Sequence, residues 1–168
     1  MNQKLNWYAI YTAPRAEKKV QQQLEMRGFQ SYLPVQTLVR QWSDRKKKVD
    51  IPVISGYIFV RCCPTDLDTI KRIYGVSDFL RFGREPYIID SKIIADLNFM
   101  LSFADEEVEF SHSVPSSESN VKVKVVKGKL KGLVGELVDG ASRIAVRVGE
   151  FGCAVCGVGK DLEFRRVE

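Results

Sequence analysis

The sequence has few of the side chains that most often carry catalysis or hold metal ions. Histidine occurs once, as His112, and the four cysteines fall into two pairs, Cys62 with Cys63 and Cys153 with Cys156. A zinc site needs four ligands, and a nucleophile needs a base beside it. A glycine-rich phosphate loop is lacking as well. We therefore expect no enzyme activity, no catalytic residue, no bound metal and no cofactor.

A redox function of Cys153 and Cys156 stays an alternative to this expectation. Two residues that lie three apart in a strand point to opposite faces of the sheet, which does not suit a shared ligand or an easy disulfide. A thiol-dependent sensor is therefore the weaker interpretation of this pair.

Long apolar runs are lacking too. No stretch approaches the length that spans a bilayer, and the first residues are polar, unlike the apolar core of a signal peptide. The cysteine spacing also differs from the disulfide frameworks of secreted domains. The sequence therefore predicts a cytoplasmic protein with reduced thiols and no membrane association, and we expect a monomer.

Charge is abundant and unevenly distributed. The 168 residues carry a formal net charge of +5. Residues 1–104 hold sixteen Lys and Arg against ten Asp and Glu, residues 105–120 hold none against five, and residues 121–168 hold ten against six. Two basic segments thus flank an acidic connector, a balance that suits a nucleic acid or an acidic protein as partner.

Residue patterns over 1–104 predict strands and helices in alternation. Aromatic and β-branched residues mark the strands, and apolar residues repeated every three or four positions mark the helices. The predicted elements are a strand over 5–11, a helix over 12–28, a hairpin of 32–42 with 49–53, a strand over 56–60, a helix over 65–75, a strand over 76–82 and a helix from about 90. Helices packed on a sheet make an α+β fold, in which the apolar strand 56–60 is expected at the centre.

Polar residues and glycines predict where the first two helices begin and end. Thr12 is placed to cap the first helix and Gly28 to end it. Thr65 with Asp68 three residues later has the spacing of a capping box for the second helix. Tyr74 is expected on the apolar face of that helix.

The composition changes after residue 104. Residues 105–120 are acidic and rich in serine, which is typical of a linker. In residues 121–168, valines alternate with lysines and glycines recur at short intervals, a pattern that predicts a small β-barrel. The chain is therefore interpreted as an N-terminal domain over 1–104, a linker over 105–120 and a barrel over 121–168.

Five motifs, spread over almost the whole chain, resemble the NusG family of transcription factors. They are Trp7-Tyr8 with Tyr11, the run Gly56–Val60, the run Gly75–Gly83 followed by Pro86, and two glycine-containing runs over 127–135 and 151–152. The first three resemble the N-terminal domain of that family, called NGN. The last two resemble its KOW domain, a small SH3-like β-barrel that follows a linker.

Within the family, the resemblance is closest to the RfaH-like and UpxY-like antitermination factors. The run Arg81–Gly83 and the ungapped register from Tyr11 to Leu24 carry this finer likeness. It implies a transcription elongation and antitermination factor that binds RNA polymerase and suppresses pausing and termination. It also implies action on a specific operon for polysaccharide biosynthesis.

The resemblance implies a docking patch for the clamp helices of RNA polymerase. The matching positions are Tyr11, Tyr57 and Phe59. Exposed aromatic rings on one sheet face provide rigid contact area, as at the hot spots of many interfaces. The alternative is that the aromatic side chains of the 56–60 strand are simply part of the core.

The resemblance also implies contacts with non-template DNA from the first helix and a nearby loop. The positions that match these contacts, or lie beside them, are Arg15, Lys18, Lys19, Gln23 and Tyr74. The sequence departs from the family pattern at 13–14 and at 73–74, where basic or polar residues are replaced. We therefore expect a different DNA element or non-specific phosphate contact, while Lys18 and Lys19 also fit a solvated helix face.

The densest charge in the chain lies in the tip of the predicted hairpin. It consists of Arg45, Lys46, Lys47 and Lys48. In that position the four cations can reach upstream DNA, or they can form a solvated loop.

The barrel is expected to offer a second binding surface. In the family this domain binds a ribosomal protein or the termination factor Rho. The alternative function is a generic RNA-binding or ribosome-associated KOW protein, in which the basic barrel dominates and the N-terminal aromatic residues are buried.

Overall fold

The computed structural model describes residues 3–104, 106–113, 121–138, 142–150, 152–158 and 163–168. Its elements follow in chain order: β1 (Asn6–Thr12), α1 (Glu17–Met26), β2 (Gln30–Tyr32), β3 (Val35–Gln41), β4 (Lys46–Pro52), β5 (Tyr57–Cys62), α2 (Leu67–Lys71), β6 (Val76–Phe79), β7 (Ile88–Ile89), α3 (Ser91–Phe103), β8 (Glu109–Ser111), β9 (Lys122–Lys127), β10 (Val134–Val138), β11 (Arg143–Arg147), β12 (Cys153–Gly157) and β13 (Glu163–Arg166). The chain divides into two compact units, 1–34 with 54–91 and 35–53 with 92–168. None of the helices in these described ranges is long and apolar enough to cross a membrane.

The first unit is built on an antiparallel sheet in the order β2-β5-β1-β6, with β7 also paired to β1. β5 lies between β1 and β2, and Ile58, Phe59 and Val60 are buried in it. The prediction of a central strand at 56–60 is therefore confirmed. Antiparallel sheets with a few helices also agree with the α+β class expected from the sequence.

One face of this sheet carries the core of the first unit. Tyr8 and Ile10 on β1 lie opposite Val60 and Ile58 on β5. The buried cluster on this face includes Tyr8, Ile10, Val20, Leu24, Ile58, Val60, Ile70 and Phe79. Full burial of an aliphatic side chain contributes roughly 1.5–3 kcal/mol, so packing against this face stabilises α1 and α2 on the sheet.

The first helix begins later than the sequence predicts. Thr12 is the last residue of β1, and Ala16 is the residue that precedes α1. Between them Arg15 has a φ of 62°, and the Ala13 N–H donates a hydrogen bond to the Gly75 carbonyl oxygen at 2.8 Å. Because the strand and this turn use the backbone of residues 12–15, Thr12 does not cap α1, and that prediction is wrong.

The end of the first helix is where the sequence predicts it. Gly28 has a φ of 82°, which glycine adopts without strain. Its N–H donates to the Glu25 carbonyl at 2.9 Å, and the Phe29 N–H donates to the Leu24 carbonyl at 3.0 Å. These two bonds form a Schellman motif, so Gly28 is confirmed as the helix end.

The capping box near the second helix belongs to the 3-10 turn that precedes it and uses a different pair of residues from the one predicted. The Asp66 carboxylate accepts the Cys63 N–H at 3.1 Å. Pro64 opens a short 3-10 turn immediately before α2. Because proline favours the first position of a helical turn, the cap lies two residues earlier than Thr65 and Asp68, and the predicted capping box is wrong.

The second unit contains the predicted hairpin, formed by β3 and β4. Their antiparallel ladder runs to the last residue of β3 and the first of β4. The Trp42 N–H donates to the Arg45 carbonyl at 2.8 Å and closes the turn. Lys46, Lys47 and Lys48 therefore lie on β4 and not in the tip, which corrects their predicted position. Lysines suit such a strand because both strands of the two-stranded sheet are edges.

The second unit also contains α3 and a six-stranded antiparallel sheet in the order β13-β9-β10-β11-β12-β8. Val123 and Val125 are buried on β9, while Lys122 and Lys124 point outward, as the alternation predicts. The described part of 121–168 contains strands and turns and no helix. No ladder among those residues joins β13 to β8, so closure into a barrel stays a prediction.

Part of the predicted linker belongs to this sheet. β8 pairs with β12, and Val108, just before β8, is buried. The Gln36 Nε2 donates to the Val108 carbonyl, and the Val108 N–H donates to Gln36 Oε1, each at 2.9 Å. Residues 108–111 of the predicted linker are therefore packed in this sheet. Residues 105 and 114–120 of that linker lie outside the described ranges, so its limits stay a prediction.

Candidate functional site

Tyr11 and Tyr57 form an aromatic pair at the end of the two central strands of the first sheet. They are register partners on β1 and β5, and their ring centroids lie 4.7 Å apart with planes tilted by 50°. Both side chains are half-buried. Burial, followed by a hydrogen bond and charge interaction with Tyr11, raises the pKa of Tyr57, so its hydroxyl stays protonated. The pair presents ring surface and hydrogen-bonding groups in one place.

Glu17 anchors the backbone beside this aromatic pair. Its Oε1 accepts the Gly56 N–H at 2.9 Å, and the Thr12 N–H donates to the Gly56 carbonyl at 2.9 Å. Glu17 is only 5% exposed, and hydrogen bonds to an ionised carboxylate are stronger than those between neutral groups. The sequence alone does not predict this role of Glu17, because glutamate is common in the first turn of a helix, where it interacts favourably with the helix dipole.

Phe59 is part of the core. It lies on the same sheet face as Tyr57 but is 0% exposed. Its ring stacks on that of Tyr32, with centroids 6.3 Å apart. Because a side chain without exposed surface cannot contact a partner, the expected docking role of Phe59 is wrong, and that of Tyr11 and Tyr57 stays a prediction.

Gln23 and Tyr74, two of the expected DNA-contacting residues, are brought together. The Gln23 Nε2 donates to the Tyr74 carbonyl oxygen at 3.1 Å. Gly75 has a φ of 95°, and a Cβ at this position would lie 3.0 Å from Val20 Cγ2. This close approach holds the loop against α1. Tyr74 is 86% exposed, so its predicted place on the apolar face of α2 is wrong.

The three expected DNA-contacting cations of this region are exposed. Arg15 lies in the turn before α1, and Lys18 and Lys19 lie in its first turn. Lys19 and Gln23 are four residues apart, which places them on one side of the helix. We call Arg15, Lys18, Lys19, Gln23 and Tyr74 together the α1 surface.

The hairpin of the second unit carries an exposed aromatic residue beside its cations. The Nζ of Lys47 lies 5.8 Å from the ring centroid of Trp42, which is 53% exposed. Arg40 is the register partner of Lys47, and Arg45 closes the turn. The sequence alone does not reveal this set, because the contact between Trp42 and Lys47 depends on the register of the hairpin. We call the two turn residues Trp42 and Arg45, together with the neighbouring strand residues Arg40 and Lys47, the tip cluster.

Comparison with known families identifies the class of protein. Residues 5–98, more than half of the chain, match the family model described as transcription termination factor nusG. The chain belongs to the NusG family.

Two solved structures are similar to the chain. NusG of Thermotoga maritima is 18% identical, with 91% of this chain and 93% of that chain covered and a TM-score of 0.48. The MjSpt4:Spt5 complex in conformation A is 13% identical, with 96% of this chain and 99% of that chain covered and a TM-score of 0.32.

Membership of the NusG family supports a general role in transcription elongation that involves no enzymatic chemistry. The matched range includes the tyrosine pair, the α1 surface and the tip cluster. The C-terminal sheet, β8 to β13, lies outside it.

The four cysteines of this NusG-family chain form no disulfide and are mostly buried. Cys62, Cys153 and Cys156 are buried and Cys63 is partly exposed. Burial raises the pKa of Cys62 to about 12, that of Cys156 to about 11, and that of Cys153 as well. Metal binding and redox exchange both need thiolate, which these shifts disfavour. Within the described ranges, no group of three or more His, Cys, Asp or Glu is placed to hold a metal ion.

Proposed function

We propose that this chain is an elongation and antitermination factor that binds RNA polymerase through the Tyr11–Tyr57 pair. The observation that supports it most is the geometry of the pair, two half-buried rings 4.7 Å apart on adjacent strands. Rigid aromatic side chains lose little entropy on binding and are frequent hot spots of interfaces. The clamp helices of the polymerase are the partner that the family resemblance implies.

The bound factor suppresses pausing and termination in this proposal. The resemblance of Arg81–Gly83 and of the register from Tyr11 to Leu24 to the RfaH-like and UpxY-like factors supports action on a specific polysaccharide biosynthesis operon. The half-exposure of Tyr11 and Tyr57 is consistent with this role, since fully buried rings would favour the generic RNA-binding alternative.

The α1 surface contacts the non-template strand in this proposal. Arg15, Lys18 and Lys19 supply positive charge for phosphates, and the exposed ring of Tyr74 beside Gln23 offers a stacking face for a base. Because residues 13–14 and 73–74 depart from the family pattern, we propose that the DNA element differs from that of RfaH.

The C-terminal sheet provides a surface for a second partner, a ribosomal protein or Rho. Support comes from the lysines that point outward from this part of the chain. They are Lys122, Lys124, Lys127, Lys129 and Lys131, all exposed. The same lysines would favour the generic RNA-binding alternative if the tyrosine pair did not bind polymerase.

The proposal predicts that either tyrosine is needed for polymerase binding. In the full chain, Tyr57→Ala or Tyr11→Ala should weaken the affinity for core RNA polymerase roughly 30-fold, the effect of a hot spot worth about 2 kcal/mol. Biolayer interferometry with immobilised polymerase measures the dissociation constant of each variant.

Met26→Ala is the control for this experiment. Met26 lies at the end of α1 and is 86% exposed, so its truncation also removes apolar surface from the first unit. It should leave the affinity unchanged. Parental affinity of a Tyr57→Ala variant with an unchanged circular dichroism spectrum would refute the proposed docking patch.

A further inference from the structure

We propose that the tip cluster binds single-stranded DNA, with one unpaired base stacked on Trp42. The neighbouring phosphates are held by Arg40, Arg45 and Lys47. The binding itself is a property of the hairpin formed by β3 and β4. Only the source of the strand, the single-stranded region of a transcription bubble, rests on the proposed function.

Trp42 is presented as a fixed platform. Its N–H donates to the Arg45 carbonyl at 2.8 Å, and its carbonyl accepts a hydrogen bond from Gln41 Nε2 at 3.0 Å. These bonds hold the backbone at the end of the hairpin, while 53% of the residue stays exposed. A large exposed indole on an ordered backbone provides a stacking face at low entropic cost.

Lys47 contacts the indole of Trp42 from one face. Its ammonium group lies over the ring, 5.8 Å from the centroid. This cation–π contact orients the ring from one side and places a positive charge beside it. A base that stacks on the other face therefore has its own phosphate within reach of a cation.

The charges of the hairpin indicate an anionic ligand. Residues 39–50 hold five cations against two carboxylates, and one of these, Asp50, accepts a hydrogen bond from Thr37 at 2.6 Å. Arg40 and Lys47 are directly opposite each other on the ladder, and like charges in such a pair destabilise a sheet. Within the described residues none of the five cations forms an ion pair. A phosphate between the strands would relieve this repulsion.

Stacking distinguishes a single strand from a duplex. The faces of paired bases are covered by their neighbours in the helix, so a duplex offers the tip cluster only phosphates. An unpaired base can leave its neighbours and cover the indole, a contact worth about 1–3 kcal/mol that tolerates any base. The combination of an exposed ring with flanking cations therefore favours a single strand.

The test is the binding of fluorescent oligo(dT) of about twelve nucleotides to the full chain, followed by anisotropy at low salt. Trp42→Ala should weaken binding roughly fivefold or more, the equivalent of about 1 kcal/mol of stacking. Trp42→Phe should keep most of the affinity. Val39→Ala is the control, because Val39 is 61% exposed on the opposite face of the hairpin.

Two further readouts report on the contact itself. Oligo(dT) should quench the tryptophan emission of the parent protein but not that of Trp42→Phe, since the remaining Trp7 is buried. Arg40→Gln and Lys47→Gln should each lower the slope of log K against log[salt] by about one, the change expected when one phosphate contact is lost. These readouts decide the question even if Trp42→Ala disturbs the hairpin.

Several results would overturn the proposal. These are an unchanged affinity of folded Trp42→Ala, the absence of quenching, a duplex of equal length that binds as tightly as the single strand, or oligo(U) that binds more tightly than oligo(dT). The polymerase proposal is tested separately, because Tyr57→Ala should still bind oligo(dT) and Trp42→Ala should still bind core polymerase. A negative result in the oligo(dT) experiment therefore does not affect the polymerase experiment, and the reverse also holds.

Discussion

At the scale of single residues, burial separates side chains that look equivalent in the sequence. Tyr57 and Phe59 are two residues apart in one strand, so alternation predicts that they share a sheet face. It does not predict depth, and Phe59 is covered while Tyr57 keeps exposed surface. Exposure is also not predicted for Trp42. The sequence places this residue at the end of a strand, and the structure shows an exposed ring beside Lys47.

The buried thiols predict a loss of stability in alkaline solution. Burial raises the pKa of Cys62 to about 12 and that of Cys156 to about 11, whereas thiols of an unfolded chain ionise near 8.5. Between these values the unfolded state binds fewer protons than the folded state, so the free energy of unfolding falls as pH rises. Urea denaturation should show the full contribution below about pH 8.5 and a progressive loss from there to about pH 12.

The double variant Cys62→Ala with Cys156→Ala serves as the control. Lysines and tyrosines titrate in both proteins, so the difference between the two pH profiles reports the thiols. The variant should lose less stability per pH unit above about pH 8.5. Parallel profiles would show that these thiols do not ionise on unfolding as expected.

At the scale of elements, local signals predict some boundaries and tertiary contacts decide others. Gly28 ends α1 as predicted, because a positive φ after a helix is a local requirement for glycine. The start of α1 depends on the Ala13 N–H and the Gly75 carbonyl, which are far apart in the sequence. The position of Lys46 on β4 likewise depends on the register of the hairpin. Contacts between residues that are far apart in the sequence cannot be predicted from the residues of one element alone.

Substitution by alanine is expected to cost different amounts of stability at two glycines that have the same φ. Gly75 and Gly83 both have a φ of 95°, so alanine introduces similar backbone strain at either position. At Gly75 the new Cβ would also meet Val20 at 3.0 Å and Ala16 at 3.3 Å, whereas nothing lies within 4 Å at Gly83. Gly75→Ala should therefore destabilise the protein by about 1–3 kcal/mol more than Gly83→Ala.

Thermal and urea unfolding of both variants measure this difference. Because Gly75 follows Tyr74, Gly75→Ala should also shift the chemical shifts of Gln23 and Tyr74, whereas Gly83→Ala should not. Equal stabilities of the two variants would contradict the close approach of this loop to α1.

At the scale of the whole molecule, the candidate surfaces lie in different compact units. The tyrosine pair and the α1 surface belong to the first unit, and the tip cluster belongs to the second. The hairpin formed by β3 and β4, and α3, fall with the C-terminal sheet in the second unit, so the domain limits at 104 and 121 stay predictions.

The central claim is that the tyrosine pair contacts RNA polymerase, and photo-crosslinking tests it most directly. A benzophenone amino acid placed at position 11 of the full chain, in place of Tyr11, is irradiated in an elongation complex. The same probe at the position of exposed Met26 is the control. We predict a crosslink from position 11 that maps to the clamp helices of the polymerase and is absent from position 26. A crosslink from position 11 only to RNA or to a ribosomal protein, or equal crosslinks from both positions, would contradict the claim.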